Sequence, residues 1–144
     1  ISLRIDESYI AEENQRLRMY KRVAGVETEA QWNDVRAELQ DRYGELPPAV
    51  NNLLDYASLK LLCARVGVAA IDRKRDVLSI KFKANAAIDP GKLAQFVSAQ
   101  RGSQFTPDGT LKFICKPTSP GEVLAQLRNL LHELGLEEVP SVAV

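Results

Sequence analysis

Apolar residues recur at spacings of three and four in five stretches of the chain, and this period is typical of amphipathic helices. Five leucines between residues 124 and 134, for example, form one stripe that stops before Gly135. Thr28 and Gln31 form a capping-box pair, and the Pro47–Pro48 pair opens a further helix. The predicted helices cover residues 12–24, residues 28–43, the segment from Pro47–Pro48 to residue 66, the segment from Pro90 to about residue 102, and the segment from Pro120 to about residue 134.

Between the helices the pattern changes to a period of two, which predicts strands. Residues 77, 79 and 81 alternate with Leu78, Ile80 and Phe82, so we expect one wet face and a Phe82 side chain that points to the core. The predicted strands form two hairpins, residues 68–72 with 77–83 and residues 104–106 with 110–116. Residues 1–5 alternate in the same way and predict a short strand or an incoming linker.

Three helices followed by a ββαββα segment predict an α+β fold, with an antiparallel sheet covered by helices on one face. We interpret residues 1–11 as the linker or short strand, residues 12–136 as a single domain and residues 137–144 as a tail. Within the domain, residues 12–66 are the helical part and residues 67–136 the ββαββα part.

The chain has 144 residues with 19 basic and 19 acidic side chains, which fits one ordinary soluble domain without a membrane span. It begins without an initiator Met, and Met19 is its one methionine, so we expect a fragment of a longer protein. Cys63 and Cys115 lie far apart in apolar runs, which favours reduced thiols and an intracellular protein.

Charge is distributed unevenly along the chain. Residues 27–55 carry seven acidic against two basic side chains, a net charge of −5, whereas residues 67–116 carry nine basic against four acidic side chains, a net charge of +5. A dipolar surface suits docking against a charged partner, because complementary charge raises the encounter rate and fixes register.

No motif for catalysis or for a metal site is evident. Gly91–Lys92 lacks the upstream glycine and the hydroxyl residue of a phosphate-binding loop. His132, the one histidine, is interpreted as a rim or solvent-facing residue near a helix end. We therefore expect a fragment that is not an enzyme and has no cofactor of its own. A small hydrolase, which needs a cleft with a perturbed acid or base, is the remaining enzymatic alternative.

Nucleic acid is an alternative partner for the basic half. The residues that would contact it are Arg73, Lys74, Arg75, Lys81 and Lys83. Aromatic side chains that could stack on bases do not interleave them.

Three motifs carry a resemblance to a known family. Residues 9–12 match Y-I-x-[DE], residues 16–24 match R-L-x-x-Y-K-R-[IV]-A, and residues 38–47 match E-L-x-D-R-[FY]-G-x-L-P. In this order and spacing they resemble the C-terminal domain of the bacterial transcription-repair coupling factor (Mfd) family.

The resemblance implies a parent that is a cytoplasmic, ATP-dependent DNA translocase, with ATP and Mg²⁺ in its motor. Such a parent displaces stalled RNA polymerase and recruits nucleotide excision repair through the subunit UvrA. The resemblance further implies that this domain is non-catalytic and autoinhibitory: it packs in cis on the N-terminal module, masks the UvrA-binding surface and restrains the motor. Glu38 and Asp41 would be its acidic contacts to arginines of that module. Tyr9, Arg16, Tyr20 and Arg42 would serve packing within the domain.

Overall fold

The computed structural model describes residues 3–116 and 120–136, which form five helices and a four-stranded sheet. The order confirms the predicted α+β fold, three helices followed by ββαββα. The elements are α1 (Glu13–Ala24), α2 (Glu29–Tyr43), α3 (Pro48–Val66), β1 (Val68–Lys74), β2 (Val77–Phe82), α4 (Pro90–Ala99), β3 (Gln104–Phe105), β4 (Thr110–Ile114) and α5 (Pro120–Leu134). None of the helices in these residues is long and apolar enough to cross a lipid bilayer.

The chain divides into two compact units. The first comprises Ile1–Leu61 with Ser119–Ala125, and the second comprises Leu62–Thr118 with Gln126–Val144. The division falls between Leu61 and Leu62, inside α3, and the change from the helical to the ββαββα part at residue 66 stays a prediction. The single-domain boundaries at residues 12 and 136 stay a prediction, and the predicted tail lies outside the described residues.

The first unit is built around the buried stripes of its helices. Thr28 caps α2, because its hydroxyl accepts a hydrogen bond from the Gln31 backbone N–H at 3.1 Å, as the capping-box pair predicts. Met19, Leu39 and Val50 are almost wholly buried in one apolar cluster. Burial of these side chains stabilises the unit and fixes which face of α2 points to solvent.

The N-terminal segment belongs to this core, although it forms no strand. Ile5 and Ile10 are buried in the same cluster, and residues 3–6 have no strand partner in the described chain. The Ile5 N–H instead donates to the Tyr20 hydroxyl, and a turn follows in which Ile10 N–H donates to the Asp6 carbonyl at 3.1 Å. The strand predicted at residues 1–5 is therefore wrong for its described part.

The second unit contains the antiparallel sheet, in the order β1-β2-β4-β3. Leu78, Ile80 and Phe82 of β2 are buried on one face, which confirms the predicted alternation. The Phe96 ring of α4 meets the Phe113 ring of β4 on this inner face, edge to face at a centroid distance of 5.5 Å. The second, outer face points to solvent.

The first hairpin differs from its prediction at both ends. Strand β1 continues to Lys74, so the turn consists of Arg75 and Asp76 alone, and Arg75 has φ 56°. Strand β2 ends at Phe82, because the Lys83 N–H donates to the Gly67 carbonyl at 2.8 Å instead of to a neighbouring strand. The sequence pattern suggests that Lys81 and Lys83 share a strand face. In the structure they do not, because Lys83 lies beyond the end of β2.

Candidate functional site

The acidic face of α2 comprises Asp34, Glu38 and Asp41, which follow one another at spacings of four and three on the side of the helix away from Val35 and Leu39. Asp34 and Asp41 are exposed. The Glu38 side chain is partly buried, with 31% of its surface accessible. The two predicted contact residues, Glu38 and Asp41, are thus on one helix face, and Asp34 extends that face by one turn.

Glu38 already has partners within the first unit. One carboxylate oxygen accepts a charge-assisted hydrogen bond from the Arg22 guanidinium of α1, and the other lies 3.7 Å from the Arg42 guanidinium, four residues along α2. Asp41 has no ion pair among the described residues. The two carboxylates are therefore unequal: Glu38 is held by a neighbouring helix, and Asp41 is available to another molecule.

Sequence reasoning missed Arg22. It is sixteen residues from Glu38 and on a different helix, so helical spacing gives no reason to pair the two. The available signal was the pair Lys21–Arg22 in the last turn of α1, next in the chain to an acidic helix. In the structure both residues line a shallow cleft of about 320 Å³ that Asp34 also lines. The basic end of α1 thus neutralises part of the acidic face.

Three of the four residues expected to pack within the domain, Tyr9, Arg16 and Tyr20, bond to other parts of the first unit, whereas the Arg42 side chain is 48% exposed. The Tyr9 hydroxyl lies 2.9 Å from two carbonyl oxygens, those of Leu39 and Gly44, at the end of α2. Burial raises the pKa of this hydroxyl. Arg16 donates to the Ile10 and Ala11 carbonyls at 2.9 Å each. The Tyr9 contacts connect the N-terminal segment to the end of α2, whereas those of Arg16 and Tyr20 connect that segment to α1.

The predicted basic residues are not one cluster. The register places Lys74 and Lys81 on the outer face of the sheet, Arg73 opposite Leu78 on the inner face and Arg75 in the turn. Lys83 lies beyond the end of β2. The outer face also contains Lys112, opposite Ser79, which sequence reasoning did not single out because it depends on the pairing of β2 with β4.

Perturbed titratable groups have local causes. Burial raises the pKa of the Cys63 thiol to about 11, so this thiol is protonated at neutral pH. The exposed Asp6 and Asp108 have lowered pKa values because they accept hydrogen bonds, chiefly from Ser8 and Thr106 respectively. Among the described residues, no three His, Cys, Asp or Glu side chains form a group that could bind a metal ion.

These features define a small α+β module with an acidic helix face and a basic sheet face. A family model described as "TRCF domain" matches residues 1–93, and the chain belongs to this family. The resemblance read from the three motifs is thereby confirmed.

The chain is 35% identical over 76% of its length to the transcription-repair-coupling factor of Haemophilus influenzae, and 30% identical over 93% to that of Rickettsia prowazekii. It spans only 9% and 12% of these relatives, about a tenth of their length. A crystal structure of a C-terminal domain of transcription-repair coupling factor has the same fold. Its TM-score is 0.75 at 22% identity, with 92% of this chain and 85% of that chain covered.

Proposed function

We propose that this chain is the non-catalytic, autoinhibitory C-terminal domain of a transcription-repair coupling factor. It docks in cis on the N-terminal module, masks the UvrA-binding surface and restrains the DNA translocase. The parent, a cytoplasmic protein that binds ATP and Mg²⁺ in its motor, displaces stalled RNA polymerase from DNA and recruits excision repair. The observation that supports the docking role is the solvent-exposed acidic face on a helix whose other side is anchored in the core.

The different surroundings of Asp41 and Glu38 support different parts for these two carboxylates in the proposed docking. Asp41 is exposed and binds an arginine of the N-terminal module directly. At Glu38 such an arginine competes with Arg22, which donates a hydrogen bond to one of the two Glu38 carboxylate oxygens. Docking therefore gains more from Asp41 than from Glu38, and Arg22 competes with the partner.

Asp41→Lys in the full-length protein is expected to raise UvrA binding about tenfold and to increase basal ATPase activity. A loss of about 1.4 kcal/mol of docking free energy multiplies a small open population by ten. Pull-down with purified UvrA and a steady-state ATPase assay measure the two effects. Glu29→Lys is the matched control, because Glu29 is exposed on the same helix but lies about 180° around it from Glu38. Equal binding by wild type and Asp41→Lys would contradict the proposal.

Arg22→Ala is expected to act in the opposite direction. Removal of the competing guanidinium frees Glu38 for the partner, so docking strengthens and UvrA binding falls by about two- to fivefold, the range that corresponds to a bridge of ~0.5–1 kcal/mol. Arg18→Ala, at an exposed position of the same helix, is the control. Increased UvrA binding by Arg22→Ala would show that the bridge supports docking instead of competing with it.

A further inference from the structure

The outer face of the sheet presents a regular array of side chains. Three rows cross the strands: Lys74, Val77 and Ile114 in the first, Asp72, Ser79, Lys112 and Gln104 in the second, and Ala70, Lys81 and the buried Thr110 in the third. Neighbouring strands are about 4.8 Å apart, and successive rows are about 7 Å apart. The array lies on the strands of the sheet, whereas the acidic face lies on helix α2. The two are therefore separate candidate surfaces.

The array is positively charged. The array contains three lysines, Lys74, Lys81 and Lys112, and one carboxylate, that of Asp72. Within the described part of the chain, none of these three ammonium groups lies within 4.0 Å of a carboxylate oxygen. Asp108, beside the array, has a pKa lowered first by its Thr106 and Thr110 hydrogen bonds and also by Lys81, so its charge offsets part of that lysine.

One row of the array also contains an apolar pair. Val77 and Ile114 are directly paired across β2 and β4, and they remain 39% and 50% exposed respectively. Burial of such a pair under a partner is favourable by about 25 cal/mol per Å² of apolar surface. Lys74 lies in the same row, so an apolar contact and an acidic contact are available side by side.

We propose that the outer sheet face binds an acidic, amphipathic polypeptide segment. Aliphatic side chains of the segment cover Val77 and Ile114, and its carboxylates pair with Lys74, Lys81 and Lys112. Nucleic acid fits this face less well, because Phe82 and Phe113 are buried on the inner face and the outer rows present aliphatic groups where a base would need an aromatic ring. Phe105, although exposed, pairs with Leu111 and so belongs to the inner face.

The test uses the 144-residue chain labelled with ¹⁵N and a short peptide of alternating glutamate and leucine as the probe. We expect amide shift changes at β2 and β4, and a Kd that rises about tenfold in Lys74→Glu/Lys81→Glu/Lys112→Glu, the loss expected for three charge contacts. Arg18→Glu/Lys21→Glu/Lys60→Glu, with the same charge change at exposed positions of α1 and α3, should bind as the wild type does. Lys→Gln at the three sheet positions replaces the first variant if it unfolds.

Two further arms separate the partner classes. Val77→Ser/Ile114→Ser leaves the charge unchanged and should weaken peptide binding. The affinity for a partner bound through its phosphates alone would not change. Short duplex DNA is titrated in parallel. The proposal is overturned if the peptide does not bind, if both triple variants lose the same affinity, or if DNA binds this face more tightly than the peptide does.

Discussion

Gly67→Ala is expected to lower the free energy of unfolding of the sheet-containing unit by about 2–4 kcal/mol, the sum of left-handed backbone strain and overpacking. Gly67 has φ +94°, and a Cβ there would lie 2.9 Å from the Ala86 Cα atom. The Ala86 backbone cannot easily move away. Lys83 N–H donates to the Gly67 carbonyl at 2.8 Å, and Ala87 N–H donates to the Val66 carbonyl at 2.7 Å, so the two segments are held together on both sides of the contact.

Native-state hydrogen exchange of the β2 amides measures this effect, because their protection reports the stability of that unit. Gly109→Ala is the matched control. Its φ is +87°, but its Cβ would lie 3.4 Å from the nearest atom, so it carries the backbone strain without the severe clash. Similar losses of protection in the two variants would show that the contact with Ala86 relaxes and that conformational strain alone determines the cost.

The elements that could be predicted from sequence are those that local pattern determines. Apolar spacing and the Thr28 cap gave α2 its start and end almost to the residue, and period-two alternation placed Phe82 inside. Strand ends were less predictable because they depend on distant partners. Lys83 continues the alternation of β2, yet its N–H bonds to Gly67, sixteen residues earlier in the chain.

The candidate sites depend on contacts that one sequence does not encode locally. The Glu38–Arg42 pair follows from helical spacing, whereas Arg22 reaches Glu38 from another helix. Lys112 joins Lys81 on the outer sheet face only through the register of β2 with β4. Arg75 illustrates a third limit: a basic residue with positive φ is uncommon, so the run Arg73–Asp76 read as a longer polar loop instead of a two-residue turn.

Of the two alternatives for the N-terminal segment, a short strand or an incoming linker, the strand fails for a related reason. Alternation of apolar residues predicts a strand only if a neighbouring strand is available. Ile5 is buried, but its N–H donates to a tyrosine side chain, and Tyr9 contacts the end of α2. The alternation of residues 1–5 therefore does not lead to a strand in the described part, because Ile5 is buried without a strand partner.

Leu39→Ala is expected to destabilise the first unit by about 2–5 kcal/mol, since it removes a large buried side chain from a packed core. Leu39 has no accessible surface and lies directly after Glu38 on α2. Urea unfolding followed by Trp32 fluorescence measures the change. Trp32 is the one tryptophan of the chain, and its indole N–H donates to the Leu54 carbonyl at 2.8 Å, so its signal reports on this unit.

Leu17→Ala is the control, because Leu17 is 50% exposed and its loss is expected to change stability by no more than about 0.5 kcal/mol. A midpoint for Leu39→Ala within error of that control would contradict the packing described for α2. In the full-length protein, the two variants distinguish the effect of unfolding α2 from the effect of changing a single charge on it. Asp41→Lys should increase UvrA binding at every temperature at which the unit is folded. Leu39→Ala should increase it only at temperatures at which the 144-residue chain shows unfolding of the unit by Trp32 fluorescence, because the acidic face is intact whenever α2 is folded.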